Sequence, residues 1–401
     1  MSNGITTETE TARWEDPLMA AIRPAVREAI EAALEKELSE LLGAARYARV
    51  ATRLGYRNGG QVRPLGTPLG QIPVTVPWAR VQTAGGSQEW RSATLPRYAR
   101  RLQHVSQTVV QVYLTGTNQR KIAAALRPLL TGVALSKSAV SRLVGELQLA
   151  REAWLTRRLE DDRFVYLYLD GFVVPVRRDG RVVRTPLLVV IGVRATGERL
   201  LLALHLATGE TTRGWRTVLE DLITRGLAAP QLCIMDGGGG LRAAVEALWP
   251  DTPIQRCVVH KLRNLLAHAP QHSHAAVKAD FHRVVYATSR AEAERAYAQM
   301  LRRWRTRCGA VADSLAEGGP HLLTFYAFPS FQWKALRSTN VIERVHEELR
   351  RRIKTQGAWS TEQGVLNLIH ALFATGILQL RRLVGYTTLN ATVGATGKQA
   401  A

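Results

Sequence analysis

The chain has 401 residues, with 54 Lys+Arg against 33 Asp+Glu, a formal charge of +21 and a pI near 10.7. Its 46% hydrophobic content is enough for two or three packed domains, which argues against a basic protein of purely structural type. It has no run of about eighteen apolar residues, so no membrane partner is expected. The polar start lacks the apolar core of a secretory signal. Three scattered cysteines (Cys233, Cys257 and Cys308) do not make a disulfide framework, and a cytoplasmic location is expected. A large cationic excess draws polyanions, and nucleic acid is the obvious one, because each neutralised phosphate releases counterions.

Residues 1–15 read as disordered. From 16 to about 50, apolar residues recur at helical spacing (Ile22, Val26, Ile30, Leu34, Leu38, Leu41), which predicts an amphipathic helix with Pro24 as a candidate break. Its apolar stripe suits either a core contact within the chain or an oligomerisation seam, so residues 1–50 are read as an N-terminal helical region. Residues 51–104 change character. Turn signals at 55–60 and 66–70 separate short extended pieces, and arginines, Arg57 and Arg97 among them, alternate with aromatics. This predicts a small basic β-rich region that grips phosphates and stacks on bases, a solvated surface being the alternative for any one arginine.

Residues 105–150 turn helical. A short helix at 118–127, bearing Arg120, precedes a second at 135–144 with Ser136 as N-cap. As a helix-turn-helix, this pair puts Lys137, Ser138, Ser141 and Arg142 where recognition helices meet bases and phosphates. An ordinary helical hairpin is the alternative. From 160 onward the order is strand (164–169), strand (182–193), strand (199–206), helix (212–225), strand, helix (241–248), strand (254–259). Three antiparallel strands followed by alternating helix and strand predict an α/β fold with a ribonuclease-H-like catalytic core over 160–264. An all-helical insertion follows (265–335), then the last part of the core (336–386, closed by a helix over 364–383) and a flexible tail (387–401).

Three acidic residues fall where that topology wants them. Asp170 closes the apolar run 164–169, Asp236 closes 231–235, and Glu343 lies in a basic helix starting near 338. Carboxylates about 5 Å apart repel by roughly 3 kcal/mol per pair at an effective dielectric near 20, so such a site calls for cations. Oxygen ligands select hard ions, Mg²⁺ or Mn²⁺, and two of them suit in-line phosphoryl displacement. A turn cap for either aspartate, or a solvated ion pair for Glu343, is the alternative for each residue taken alone. Glu347, one helical turn on, is the rival third ligand.

Six pieces in order make the resemblance specific: Gly55-Tyr-Arg-Asn-Gly59, Ala139-Val-Ser-Arg142, Tyr168-Leu-Asp-Gly171, Asp236-Gly237 with Gly240-Leu241, Gln255-Arg-Cys-Val-Val-His260 with Arg263-Asn264, and Ser338-Thr-Asn-Val-Ile-Glu343 with Arg350-Arg-Arg352. The chain resembles bacterial transposases of the Mutator type. The resemblance implies a DDE transposase of an insertion sequence, with Asp170, Asp236 and Glu343 as its catalytic, metal-binding triad and an all-helical insertion between the last two. Gly237 and Gly240 are motif glycines. Gly238 and Gly239 stand where the family often carries a His and a Lys or Arg. The four glycines read as a strand-to-helix turn, the alternative being a phosphate seat at a helix N-terminus.

Cys257 and His260 match the family's Cys-x-x-His. Zinc would need two more ligands, for which His268, His272 and His274 offer no second tight pair. The preferred reading packs Cys257 in the strand and sends His260 and Arg263 towards the active site or DNA. Asn340, Arg350 and Arg351 are read as further DNA contacts. The implied partners are double-stranded DNA, as terminal inverted repeats and target, and a second copy of the chain in a homodimer or larger synaptic complex. A non-catalytic helix-turn-helix regulator and a structure-selective nuclease with a ribonuclease-H-like core are the rival functions.

Overall fold

The structure, a computed structural model, describes residues 17–83, 85–117, 119–127, 130, 132–133, 135–356, 358–359 and 361–383. The expected disordered start (1–15), the expected tail (387–401) and the side chain of Arg120 lie outside the described residues. The chain divides into two units, 1–145 and 146–401.

In the first unit, α1 (Pro17–Leu42) runs through Pro24 without breaking and ends at Gly43, whose φ of +64° suits a glycine closing a helix. This is shorter than the predicted helix to 50. Strands β1 (Gly55–Thr67), β2 (Gly70–Thr83) and β3 (Gly86–Glu89) form an antiparallel sheet in sequence order. Ile72 and Val74 alternate towards α1 and bury with Leu34, Leu65 and Leu95, while Leu38 and Leu42 bury against Ala79 and Trp90. Of the two readings of the stripe, the core contact within the chain is the one seen, since the sheet takes up most of it. Helices α2 (Gln103–Leu114), α3 (Gln119–Leu126) and α4 (Lys137–Leu155) follow. Ser136 Oγ accepts from the Ala139 amide at 3.1 Å, capping α4 as expected. Gly145 does not stop α4, which outruns its predicted end by eleven residues (155 − 144).

The second unit holds a five-stranded sheet in the order β6-β5-β4-β7-β8. Strands β4 (Phe164–Arg178), β5 (Arg181–Arg194) and β6 (Arg199–Leu206) are antiparallel. Helix α5 (Thr212–Thr224) leads to β7 (Leu232–Met235), and α6 (Gly239–Leu248) leads to β8 (Ile254–Arg256). Both of these strands run parallel to their neighbours. The β4–β5 hairpin turns at Asp179 (φ +47°) and Gly180 (φ +78°), the left-handed pair of a tight hairpin. That turn keeps β4 paired far beyond the predicted end at 169. Val174 and Val176 stay buried at alternate positions, and Asp170 lies inside the strand instead of closing it.

One face of the sheet carries Leu167, Leu169, Leu188, Val190, Cys233 and Met235, which form one core with Trp215, Leu219, Leu241 and Val245 of α5 and α6. Helix α7 (Val258–His268) starts sooner than predicted and cuts β8 short at Arg256, so His260 sits in a first helical turn. Helices α8 (His274–Val285), α9 (Arg290–Arg307) and α10 (Gly309–Gly318) fill the expected helical stretch. Short 3-10 turns lead on to α11 (Trp333–Leu336), α12 (Asn340–Gln356) and α13 (Glu362–Ala374). α13 ends nine residues before the predicted 383 (383 − 374), its close followed by Gly376 at φ +71°. Residues from the end of this run cover the other face of β4. Tyr166 Oη donates to Gln332 Oε1 at 2.7 Å, Tyr168 Oη donates to the Ala335 carbonyl at 3.0 Å, and Phe172 stacks on His346 with ring centroids 3.9 Å apart.

Candidate active site

Asp170 shares the strand face of Tyr168 and Phe172, opposite the α5–α6 core, and is 1% exposed. Leu169 of β4 pairs with Met235 of β7, the last pair of that ladder, and Asp170 and Asp236 follow directly on each chain, close enough for their charges to interact. Asp236 Oδ1 accepts from the Gly238 amide at 3.0 Å, which fixes the turn into α6. Two of the four glycines are there for close approach. A Cβ on Gly240 would fall 2.8 Å from the Glu210 carbonyl and the Thr212 amide, and one on Gly237 would meet the Arg256 guanidinium at 1.8 Å. The strand-to-helix turn is thus the structural reading of this segment.

Around Asp170 the contacts converge on Thr339, the residue before α12. Its hydroxyl lies 3.3 Å from Asp170 Oδ2, 3.4 Å from Cys257 Sγ and 3.5 Å from His260 Nδ1, and its amide donates to Cys257 Sγ at 3.3 Å. One hydroxyl proton serves one acceptor at a time, and the carboxylate is the strongest of the three. Burial pushes the Asp170 carboxyl up to about 7, and Asp236 adds to the rise against the opposing charge of His260 and the Thr339 hydrogen bond. His260 is pushed up to about 9, chiefly by hydrogen bonding to Cys257, against burial, with Asp170 and Asp236 contributing. Burial raises the Cys257 thiol, yet its hydrogen bonds and the charge of His260 outweigh that and bring it below its ordinary value. Cys257 is buried as expected, but at the N-cap position of α7 just past the end of β8 and not within the strand, while His260 turns to the carboxylates.

Glu343, in the first turn of α12, has its carboxylate oxygen 2.7 Å from Arg263 Nη1 of α7. Arg263 thus reaches towards the active site, one of the two directions read from the sequence, and pairs there with an expected triad member. Among the described residues, no three His, Cys, Asp or Glu side chains are grouped closely enough to hold a metal ion. The structure brings Asp170 and Asp236 together and keeps Glu343 engaged by Arg263. Glu347 is exposed. The pair of aspartates fits a hard cation on its own chemistry. One carboxyl is raised by burial and further by its neighbour, a state that positive charge would relieve.

The sequence did not point to two nearby residues. Glu210, in the loop before α5, would lie 2.8 Å from a Cβ on Gly171, and its carboxyl is raised by burial and then by Asp236. A lone acid in a loop carries no periodic signal, and only the fold brings it here. Thr339 sat inside the stretch 338–343 without a role, although its place just before a helix was a usable signal.

The expected DNA contacts divide. Arg57 Nη2 lies 2.8 Å from both Glu35 Oε1 and Ser39 Oγ and also donates to the Ala44 carbonyl, so its fork is committed within the fold. Arg97 pairs with Glu89 at 2.9 Å yet stays exposed. Lys137, Ser138, Ser141 and Arg142 are all exposed at the start of α4. Ser136, Arg142, Arg63, Arg97, Arg100 and Arg101 share a cleft of about 590 Å³ whose lining includes no carboxylate. Asn340 and Arg350 are exposed, and Arg351 pairs with Glu348.

A family model described as "Transposase, Mutator family" matches residues 6–377. The transposase for insertion sequence element IS406 of Burkholderia multivorans is 33% identical over 340 residues, covering 84% of this chain and 86% of that protein. The transposase for ISRM5 of Rhizobium meliloti is 32% identical over 368 residues, 91% of this chain and 90% of that one. The transposase for IS1081 of Mycobacterium tuberculosis is 32% identical over 339 residues, 84% of this chain and 80% of that one. Among solved structures, the Drosophila P element transposase strand transfer complex aligns over 74% of this chain and 87% of that chain at 10% identity. Its TM-score of 0.29 is too low to carry an argument.

Proposed function

Because the chain belongs to the Mutator family of transposases, we propose that the pocket between β4 and β7 cuts and rejoins DNA by metal-dependent phosphoryl transfer. The observation that carries this reading is the register of β4 on β7, which sets the buried Asp170 beside Asp236. Three antiparallel strands extended by two parallel ones, with helices on one face, support a ribonuclease-H-like core for this unit. Asp170, Asp236 and Glu343 are the proposed DDE triad, and they would hold Mg²⁺ or Mn²⁺ once Glu343 exchanges Arg263 for the cation. Bound there, a pair of such ions supplies activation of a water or 3′-hydroxyl and stabilisation of the leaving oxygen.

The chain's own residues do the rest. Thr339 fixes the rotamer of Asp170 through its hydroxyl. His260, pushed up chiefly by its hydrogen bond to Cys257 and further by Asp170 and Asp236, offers positive charge to a phosphate oxygen. Freed Arg263 becomes a phosphate contact on the same helix face, three residues on. The exposed start of α4 and the arginine cleft beside it form the proposed duplex grip for terminal inverted repeats. Synapsis of two ends calls for a dimer or larger assembly, acting on DNA in the bacterial cytoplasm.

The test is a nicking and joining assay with divalent metal on DNA carrying the element's ends. Asp170→Asn, Asp236→Asn and Glu343→Gln should each abolish both steps while DNA binding survives. Activity persisting in all three ends the assignment. Cutting without joining would favour a structure-selective nuclease.

A further inference from the structure

Thr339 meets Asp170, and the residues on either side of it, Ser338 and Asn340, line a separate cleft of about 370 Å³. Tyr168, two residues before Asp170 on the same strand face, contributes to the lining and is itself buried. Arg199, at the start of β6, lies with its guanidinium carbon 5.6 Å from the Tyr168 ring centroid, and its Nη1 donates to the Arg381 carbonyl at 3.0 Å. Lys334 of α11, Arg344 of α12 and Arg381 beyond α13 stand exposed at the walls, with Phe331 at 42% exposure. No carboxylate lines the cleft, and among the described residues Arg199, Lys334, Arg344 and Arg381 form no ion pair. Elsewhere in this unit arginines find acids readily, as at Arg194 with Asp162 and Glu198.

We infer that this cleft holds a single DNA strand by its phosphates, with one unpaired base against Phe331, directly beside the Asp170–Asp236 pocket. The inference rests on the reading that DNA is the substrate. A cleft of about 370 Å³ suits a short stretch of one strand, and an aromatic face reads a base only where the base is unstacked. Guanidinium forks at Arg344 and Arg381 suit bidentate phosphate contact, and the free amides at the start of α12 add positive potential on the same side. A strand lying here would reach the reacting pocket around Thr339, within a residue or two of the cleft lining.

The experiment measures binding of a fluorescent oligothymidylate of about 16 nucleotides by anisotropy across a salt series, without divalent metal so that no cleavage intervenes. The Lys334→Glu/Arg344→Glu variant should lose at least about tenfold in affinity, and its salt slope should fall by roughly 1.4, about 0.7 for each phosphate no longer neutralised. Phe331→Ala should lose about tenfold with the slope unchanged. Lys278→Glu/Arg302→Glu, an equal charge change at exposed sites on α8 and α9, should lose much less. All four chains should melt alike by circular dichroism, since the altered residues are exposed. Equal losses in the two double variants, or none at Lys334 and Arg344, overturn the cleft while leaving the catalytic reading standing. Loss of cleavage in the carboxylate variants with these binding effects absent separates the two conclusions cleanly.

Discussion

Arg263 Nη1 lies 2.7 Å from the Glu343 carboxylate, so a cation from α7 occupies the acid proposed as the third metal ligand. The pair is lopsided in solvent, Arg263 being 61% exposed and Glu343 22%. Water screens it, and breaking it costs only about 0.2–1 kcal/mol. Arg263→Ala should therefore release Glu343 and tighten Mn²⁺ binding by about two- to fivefold in the absence of DNA. Titration followed by electron paramagnetic resonance checks this. Unchanged or weaker binding would remove Glu343 from the ligand set.

The buried aspartate makes a prediction of opposite sign to most carboxylates. Asp170 rises from its ordinary 3.8 to about 7 in the metal-free fold, mainly through burial. Between those pH values the folded chain binds more protons than the unfolded one, so stability falls as pH rises through the window. Asp170→Asn should thus stabilise metal-free protein at pH 8 by about 2–4 kcal/mol, with the gain vanishing below about pH 4. Urea unfolding at the two pH values decides it, and a destabilised Asp170→Asn at pH 8 would contradict the electrostatic account. Saturating Mg²⁺ should shrink the difference, since the ion relieves the same charge.

Arg57 and Arg142 contrast a structural arginine with a proposed DNA contact. Its contacts with Glu35, Ser39 and the Ala44 carbonyl join α1 and the chain just after it to β1. Arg57→Ala should cost about 1–2 kcal/mol in stability and leave the salt slope of duplex binding unchanged. Arg142→Ala should do the reverse, lowering the slope by about 0.9 with little effect on the melt. A lowered slope for Arg57→Ala would restore it to the DNA interface.

Local signals were enough to expose Asp236, because four apolar residues run straight into it and glycines follow. The succession of strands and helices in the second unit was legible for the same reason, each element carrying its own periodicity. Asp170 was harder to place. The acid looked like the end of a strand, while the burial of Val174 and Val176 depends on pairing with β5 that the hairpin turn imposes. Arg57 and Glu210 were opaque in a deeper sense. A guanidinium reads the same whether it meets a phosphate or Glu35, which lies 22 positions earlier, and an isolated loop acid gains its meaning only from the strand it lands beside. Contacts distant in sequence decided these residues, and a single sequence does not record such contacts.

The glycine turn after Asp236 offers a graded test of close packing beside the site. Gly239 has nothing within 4 Å of a prospective Cβ and opens α6 with ordinary helical geometry, so Gly239→Ala should be neutral or stabilising by up to about 1 kcal/mol. Gly240, one residue on, would drive a Cβ to 2.8 Å from two backbone atoms at the start of α5, which no rotamer change relieves. Gly240→Ala should therefore cost about 1–3 kcal/mol. It should also lower strand cleavage more than its stability loss explains, because separating α6 from α5 moves the turn that holds Asp236 in place. Thermal melts alongside cleavage rates give both readouts. If the two variants behave alike, the glycines serve flexibility, and tight contact between α5 and α6 does not set the position of Asp236.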